Sequence, residues 1–116
     1  MKEITAYLRP DRADDVIRAL EEVGVSGMTV IDVAAMAGWA DPRAKRYSTR
    51  YTARYCQVVK LEMICSAEEV ESVVEIIRRE GYTGHRGDGK IFISGVDRAI
   101  SIRTGQEGRA ALQASD

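Results

Sequence analysis

The chain has 116 residues, of which 45% are hydrophobic, and it carries 17 basic side chains against 18 acidic ones. This length fits one compact domain, and the absence of an apolar run of about 18 residues excludes a membrane-spanning helix. The first residues also lack the apolar core of a secretory signal, so we expect a cytoplasmic protein that does not insert into membranes. A net charge of −1 excludes a uniformly basic nucleic-acid binder.

The first third of the chain has the pattern of a strand, a helix and a second strand. Residues 3–8 alternate between apolar and polar side chains, which predicts a strand. Pro10 opens a stretch whose apolar residues follow helical spacing, and Gly24 is positioned to end that helix. Residues 28–34 are rich in β-branched side chains, which favours a second strand. The apolar stripe of the predicted helix consists of Ala13, Val16, Ile17, Leu20 and Val23.

The same plan restarts in the middle of the chain. Residues 58–65 alternate again and predict a strand, and Ser66 with Glu69 forms the signature of a capping box for the helix that follows. We expect Gly81 to close this helix and residues 90–94 to form the last strand. The residues that face the core from the second helix are predicted to be Val70, Val73, Val74 and Ile77.

Two βαβ units about 60 residues apart predict an α+β fold, the ferredoxin-like double βαβ sandwich, with two helices on one face of a four-stranded antiparallel sheet. We assign residues 1–112 to this single domain and expect residues 113–116 to fray. The second face of the sheet then stays uncovered. It carries Tyr7 and Ile64 among polar residues, so we expect copies of the chain to associate across it.

The two cysteines bear on this layout. Cys56 and Cys65 lie about 30 Å apart on one extended segment, which excludes a disulfide between them. Because an odd number of positions separates them, they occupy opposite faces of the strand. We interpret both as small buried or half-buried hydrophobic side chains in a reducing compartment.

The connection between the two units, residues 36–57, is long for a compact domain and strongly basic. It contains five cationic side chains and one acidic side chain, which gives a charge of +4, and four aromatic side chains lie among them. Three interpretations compete: a solvated insertion, an arm for single-stranded nucleic acid, and a loop that docks on a partner protein. We favour docking, because Trp, Tyr and Arg dominate the energetics of protein interfaces. The cations are Arg43, Lys45, Arg46, Arg50 and Arg54, and the aromatic residues are Trp39, Tyr47, Tyr51 and Tyr55.

Residues 83–90 form a glycine-rich segment that ends in Lys90. Its three glycines allow backbone amides to approach an anion, and two cations add charge to phosphate oxygens. The letters match the start of a Walker-type loop, but Ile91 supplies no hydroxyl for Mg²⁺, and the helix precedes the loop instead of following it. We therefore predict a phosphate-binding loop of another kind, with a tight turn carrying a surface lysine as the alternative. The glycines are Gly84, Gly87 and Gly89, and the second cation is Arg86.

Two further residues of this segment bear on its chemistry. His85 is the only histidine of the chain, and a lone histidine cannot hold a metal, so no metal site is predicted. Asp88 is placed to cap the amides of its own loop. No nucleophile is positioned beside either residue, so we do not expect an enzyme.

Five short segments stand out together, residues 27–30, 60–62, 83–84, 87–92 and 102–105, which read GMTV, KLE, TG, GDGKIF and IRTG. As a set they resemble the PII signal-transduction proteins, the nitrogen regulatory family, and the similarity runs from Met1 to about Leu112. The resemblance implies a homotrimer with nucleotide sites in the clefts between subunits. It also implies a regulator of nitrogen metabolism that signals through a long loop to a membrane transporter or metabolic enzyme, and that is not a catalyst.

The resemblance implies an adenine nucleotide, namely ADP, AMP or ATP, as the ligand. The glycine–lysine segment would hold its phosphates, and the IRTG segment of a neighbouring subunit would add a cation. Carried onto this sequence residue by residue, the implied nucleotide-binding residues are Thr29, Ile64, Gly87, Asp88, Gly89, Lys90 and Arg103.

Three positions depart from the family pattern. Ser101 stands where a second phosphate-binding arginine is usual, and residues 37–39 read AGW in place of glycine-arginine-glutamine. Val58 replaces a lysine that pairs with 2-oxoglutarate. The lost ligands predict that 2-oxoglutarate is not sensed and that ADP or AMP is preferred over ATP. The alternatives are a sensor of ADP, AMP or another small effector such as bicarbonate in carbon metabolism, and a single-stranded nucleic-acid-binding module.

The long loop is the implied contact with the target. Nucleotide at the glycine–lysine segment would order or release the base of the loop, which would then present or withhold its cations and tyrosines. Tyr51 falls where some relatives carry a modified tyrosine, and Thr49 is a second candidate for modification, although docking is the preferred role of Tyr51. The predicted docking residues are Trp39, Arg43, Lys45, Arg46, Tyr47, Arg50 and Tyr51.

Overall fold

The computed structural model describes residues 1–25, 27–36, 45–46 and 55–112, and of residues 45–46 it describes the backbone pairing. Within these residues the chain forms five strands, two α-helices and two short 3₁₀ segments. The 3₁₀ segments are Ala67–Glu69 and Gly108–Leu112. The other elements are β1 (Lys2–Leu8), α1 (Pro10–Glu22), β2 (Met28–Ala35), β3 (Lys45–Arg46), β4 (Tyr55–Cys65), α2 (Val70–Gly81) and β5 (Gly89–Gly95).

The four long strands form one antiparallel sheet in the order β2-β4-β1-β5, and the short β3 pairs with the start of β4. Both helices pack on the face to which Ile4, Ala6 and Leu61 point, and these three side chains are fully buried. The predicted ferredoxin-like double βαβ sandwich is confirmed. The homotrimer stays a prediction.

The core lies between the sheet and the two helices because apolar side chains alternate in register across the strands. Ile4 of β1 lies opposite Met63 of β4 and Ile93 of β5. From the helices, Val16 and Leu20 of α1, together with Val73 and Ile77 of α2, close over this face. The helical and strand periods of the sequence therefore converge on one core.

Three details of the helices differ from the sequence prediction. Helix α1 ends at Glu22, so Val23 lies beyond the apolar stripe and is exposed, whereas Gly24 ends the helix with a positive φ as predicted. In α2 the side chain of Ile76 is buried, and that of Val74 is only half-buried. The α-helix begins at Val70 after a 3₁₀ turn.

The predicted capping box does not form. The side chain of Ser66 makes no capping hydrogen bond, because the chain enters the helix through the 3₁₀ turn at Ala67–Glu69. Instead, the hydroxyl of Ser72 donates to the carbonyl oxygen of Glu69.

Strand β4 begins at Tyr55, three residues before the predicted start. Its first residues are held by backbone pairing, since Cys56 lies opposite both Ala35 and Lys45. The predicted loop over residues 36–57 therefore includes part of β4 and the short β3. The residues predicted for docking or modification at Trp39, Arg43, Tyr47, Thr49, Arg50 and Tyr51 lie outside the described residues, as do the side chains of Lys45 and Arg46 and the tail 113–116.

The predicted burial of the two cysteines on opposite faces of the strand is confirmed. Cys65 belongs to the main core under the helices, and Cys56 packs with Val58 in a small cluster on the opposite face of β4. Both thiols are free and buried. In the part of the chain that the structure describes, no helix is long and apolar enough to cross a membrane.

Candidate functional site

The carboxylate of Asp88 is the centre of the loop that joins α2 to β5. It accepts hydrogen bonds from the backbone amide of Thr83 at 2.8 Å and from that of Gly84 at 3.0 Å. The hydroxyl of Thr83 donates to the same carboxylate and accepts from the amide of His85 at 3.2 Å. The expectation that Asp88 caps the amides of its own loop is confirmed.

Arg9, at the junction of β1 and α1, clamps this loop from the side. Its Nε lies 2.8 Å from Oδ1 of Asp88, and its Nη2 donates to the carbonyl oxygen of Arg86 at 2.7 Å. A longer contact of 3.5 Å joins Nη2 to the carbonyl oxygen of His85. The side chain of Arg9 is only 14% exposed, so this guanidinium is largely withdrawn from water.

The environment of Asp88 favours its ionised form. Burial alone would raise the pKa of this carboxyl, but the hydrogen bonds from the side chains of Thr83 and Arg9 and from the amides of Thr83 and Gly84 hold it well below its usual range. Asp88 is therefore a fixed negative charge inside the loop. Because its oxygens already accept these donors, we assign it to the ordering of the loop and not to direct contact with a phosphate.

The loop lies against β1 without room for a side chain at Gly89. Gly89 has a φ of +115°, and Gly87 has a φ of +102°. Both lie in the region that L side chains rarely adopt. The glycines predicted to hold phosphates are thus required for the shape of the loop whatever it binds.

Lys90 follows the loop at the start of β5 and is exposed. An open cavity of about 380 Å³ adjoins it, with an apolar floor that includes Leu8 and Ile77 and a rim that includes Arg78 and Tyr82. The floor of this cavity belongs to the face that the helices cover, whereas Lys90 pairs with Tyr7 on the uncovered face. The structure therefore places the loop glycines directly before Lys90, at the edge of the sheet where the two faces meet.

The uncovered face of the sheet carries a row of paired side chains. Ile31, Lys60, Tyr7 and Lys90 are neighbours in register across β2, β4, β1 and β5. Nζ of Lys60 lies 2.8 Å from Oε1 of Glu62 and 6.0 Å from the ring centroid of Tyr7. The hydrogen bond that Lys60 donates to the carboxylate of Glu62 raises the pKa of Lys60. The Lys60–Glu62 pair thus neutralises the middle of this face and leaves Lys90 at its edge.

Thr29 and Ile64, predicted to lie near the adenine, share this face with Lys90 but not its edge. Thr29 lies on β2 at one edge of the sheet, and Lys90 lies on β5 at the other; three strand spacings, about 14 Å, separate the two edges. One copy of the chain therefore does not bring the predicted adenine and phosphate residues into one cleft.

Arg103 lies on a separate turn after β5. Within this turn the carbonyl oxygen of the buried Ser101 accepts a hydrogen bond from the amide of Gly105 at 2.9 Å. The hydroxyl of Ser101 accepts a hydrogen bond from the amide of Thr104 at 3.4 Å. Ser101 thus organises the turn where the family pattern has a cation. Val58, at another substituted position, is 4% exposed and packs against Cys56.

Sequence reasoning missed Arg9 and the hydroxyl of Thr83 as parts of the loop. Arg9 lies 79 positions before its partner Asp88, and an arginine in front of Pro10 carries no local signal of such a contact. Within the described residues, no three His, Cys, Asp or Glu side chains lie close enough together to hold a metal ion.

The ferredoxin-like sandwich and the ordered glycine–lysine loop define a small α+β domain. The family model for "Nitrogen regulatory protein P-II" matches residues 1–106. The chain belongs to the nitrogen regulatory protein P-II family, a family of signal-transduction regulators, and the predicted family is thereby confirmed.

Curated relatives agree with this family over nearly the whole chain. "Nitrogen regulatory protein P-II 2" of Methanothermobacter thermautotrophicus is 40% identical over 112 residues, which covers 97% of each chain. "Nitrogen regulatory protein P-II" of Rhizobium meliloti is 38% identical, and "Nitrogen regulatory protein P-II 1" of Escherichia coli is 39% identical. Each of these two matches covers 97% of this chain and all of the relative.

Proposed function

We propose that this regulator binds an adenine nucleotide at its glycine–lysine loop and thereby controls a target protein. The observation that carries the proposal is the clamp of Arg9 and Thr83 on Asp88, which orders a loop of three glycines directly before the exposed Lys90. Ordered backbone amides beside a lysine are a recurrent solution for binding phosphates.

The complete site is proposed to form between copies of the chain in a homotrimer. In a closed ring, the β2 edge of one copy meets the β5 edge of the next, which would bring Thr29 and Ile64 to the loop of the neighbour. Exposed apolar side chains at both edges support such a contact, namely Val30 on β2 and Phe92 and Ile93 on β5. Arg103 of a neighbouring copy would add the second cation.

The preferred ligand is proposed to be ADP or AMP. Ser101 is buried within its turn, so this position offers no charge to a third phosphate. Val58 lies in an apolar cluster, so this position offers no cation to 2-oxoglutarate. Each missing charge-assisted hydrogen bond is worth about 1.5–3 kcal/mol.

Control of the target is assigned to the segment between β2 and β4. Ala35 and Cys56 are paired, so the two ends of this segment lie side by side in the sheet. Its charge of +4 complements an acidic surface on a transporter or metabolic enzyme. Bound nucleotide shifts the population of the loop between docking and non-docking states. Tyr51 stays a docking residue and, with Thr49, a candidate for modification.

Family membership does not favour the alternatives, namely a nucleic-acid-binding module or a sensor in carbon metabolism. A thermal-shift panel of ATP, ADP, AMP, cyclic nucleotides, 2-oxoglutarate and bicarbonate tests which small molecule the protein binds. A true effector at 100 times its Kd stabilises the native state by about 2.7 kcal/mol. We expect ADP or AMP to raise the Tm of the wild type and of Arg18→Gln, an exposed control on α1, and to raise that of Lys90→Gln by less. No shift with any adenine nucleotide would refute the proposal.

A further inference from the structure

The contacts of Arg9 fix the direction of two peptide groups in the loop. Its Nη2 donates to the carbonyl oxygens of His85 and Arg86. In a trans peptide the N–H points opposite to the C=O of the same peptide group. The amides of Arg86 and Gly87, which belong to these two groups, therefore point away from Arg9.

Asp88 fixes the start of the loop, where the amides point inwards instead of outwards. Its carboxylate draws the amides of Thr83 and Gly84 inwards, and the same carboxylate is held by Nε of Arg9. One guanidinium thus holds both the start of the loop, where the amides point inwards, and its middle, where the amides point outwards. Consecutive outward amides next to a glycine with positive φ form a concavity that binds anions.

We propose that Arg9 is a positioning residue for nucleotide phosphates: by holding Asp88 and the carbonyl oxygens of His85 and Arg86 at once, it turns the amides of Arg86 and Gly87 towards the bound anion. Arg9 itself does not touch the ligand. The inference rests on the proposed function, since it assigns the nucleotide phosphates to these two amides.

Holding these three acceptors at the same time requires an arginine. The planar guanidinium has five donors in a fixed fork, so it can reach a carboxylate and two carbonyl oxygens in one conformation. A lysine ammonium is a single point charge that can satisfy Asp88 but cannot hold the two peptide groups in place at the same time. Arg9→Lys therefore keeps the charge and removes the fork.

The test combines calorimetry with backbone amide NMR. The Kd values for ADP and for adenosine are measured on the wild type, Arg9→Lys and Arg9→Met, and the amide signals are followed as ADP or inorganic pyrophosphate is added. The matched control is Arg12→Met. Arg12 donates from Nε to the carbonyl oxygen of Glu80 at 2.8 Å, at the end of α2 and outside the loop.

If Arg9 is a positioning residue, replacing it weakens only the part of the binding free energy that comes from the phosphates. We expect ADP to shift the amide signals of Arg86 and Gly87 in the wild type. We expect Arg9→Met to weaken ADP binding by about tenfold without weakening adenosine binding, with Arg9→Lys between the two. Arg12→Met should lower the Tm and leave the ratio of the two Kd values unchanged.

The outcomes separate this inference from the proposed function. If Arg9→Met weakens ADP and adenosine equally, or if bound ADP leaves the amides of Arg86 and Gly87 unmoved, Arg9 has only a structural role. If the wild type binds neither ADP nor pyrophosphate, the proposed function fails, and this inference fails with it.

Discussion

A Cβ atom on Gly89 would lie 1.7 Å from the carbonyl oxygen of Tyr7. Atoms that are not bonded cannot approach so closely, so the start of β5 can lie against β1 only with glycine at this position. The contact also sets where Lys90 emerges, because Lys90 is the next residue and pairs with Tyr7. The shape of the loop and the place of its cation therefore depend on one missing side chain.

Gly89→Ala is expected to lower the free energy of unfolding by about 2 kcal/mol or more, because it adds a backbone clash to a strained φ of +115°. Urea unfolding at fixed protein concentration measures the change. Gly95→Ala, at the far end of the same strand, is the matched control, since a Cβ there meets no atom within 4 Å. Equal stabilities of the two variants would contradict the role given to Gly89.

Asp88→Asn tests the charge at the centre of the loop. The hydrogen bonds to Asp88 hold its pKa in the folded chain below the unfolded value of about 3.9. Its ionised form therefore contributes stability that is fully present above about pH 4 and is lost as the pH falls through the folded pKa. We expect Asp88→Asn to be less stable than the wild type at pH 7, and the difference to shrink in urea titrations at decreasing pH. A difference that does not change with pH would show that the charge is irrelevant.

The thiols are expected to react slowly in the folded protein. Cys56 and Cys65 are both buried, and burial raises the pKa of the Cys65 thiol, which lowers its thiolate fraction. Ellman's reagent should modify both residues rapidly in urea and slowly in buffer, and oxidation should give no intrachain disulfide. Rapid modification of the folded chain would contradict the packing of β4.

Val58 predicts that the protein does not sense 2-oxoglutarate. Since Val58 packs in the Cys56 cluster, the position has no charge to offer a dicarboxylate. We expect the Kd for ATP with Mg²⁺ to stay the same when 2-oxoglutarate is added. Calorimetry that shows tighter ATP binding in its presence would show that another residue has taken over the role of the missing lysine.

Most of the fold could be predicted from the sequence, because periodicity reports directly on burial. The alternation that ends at Cys65 and the helical spacing of Val16 and Leu20 each placed a face against the core, and the structure confirms both. The start of β4 could not be predicted, because its first residues are held by backbone pairing with β2 and β3. Such pairing leaves no pattern in the side chains.

The candidate site was predicted in part. The glycines and Asp88 favour an ordered turn through their own conformational preferences, so the turn could be predicted from the local sequence. The clamp by Arg9 depends on a contact across 79 positions, which only the fold creates. The capping box at Ser66 failed for the converse reason, because the local signal was present but the chain formed a 3₁₀ turn instead.

The proposed function requires that the glycine–lysine loop binds an adenine nucleotide. Isothermal titration of the wild-type protein with ADP, beside Lys90→Gln and Arg18→Gln, tests it most directly. We expect saturable binding in the wild type and in Arg18→Gln, and binding weakened by about tenfold or more in Lys90→Gln. Equal ADP binding by Lys90→Gln and the wild type, or no binding of any adenine nucleotide, would contradict it.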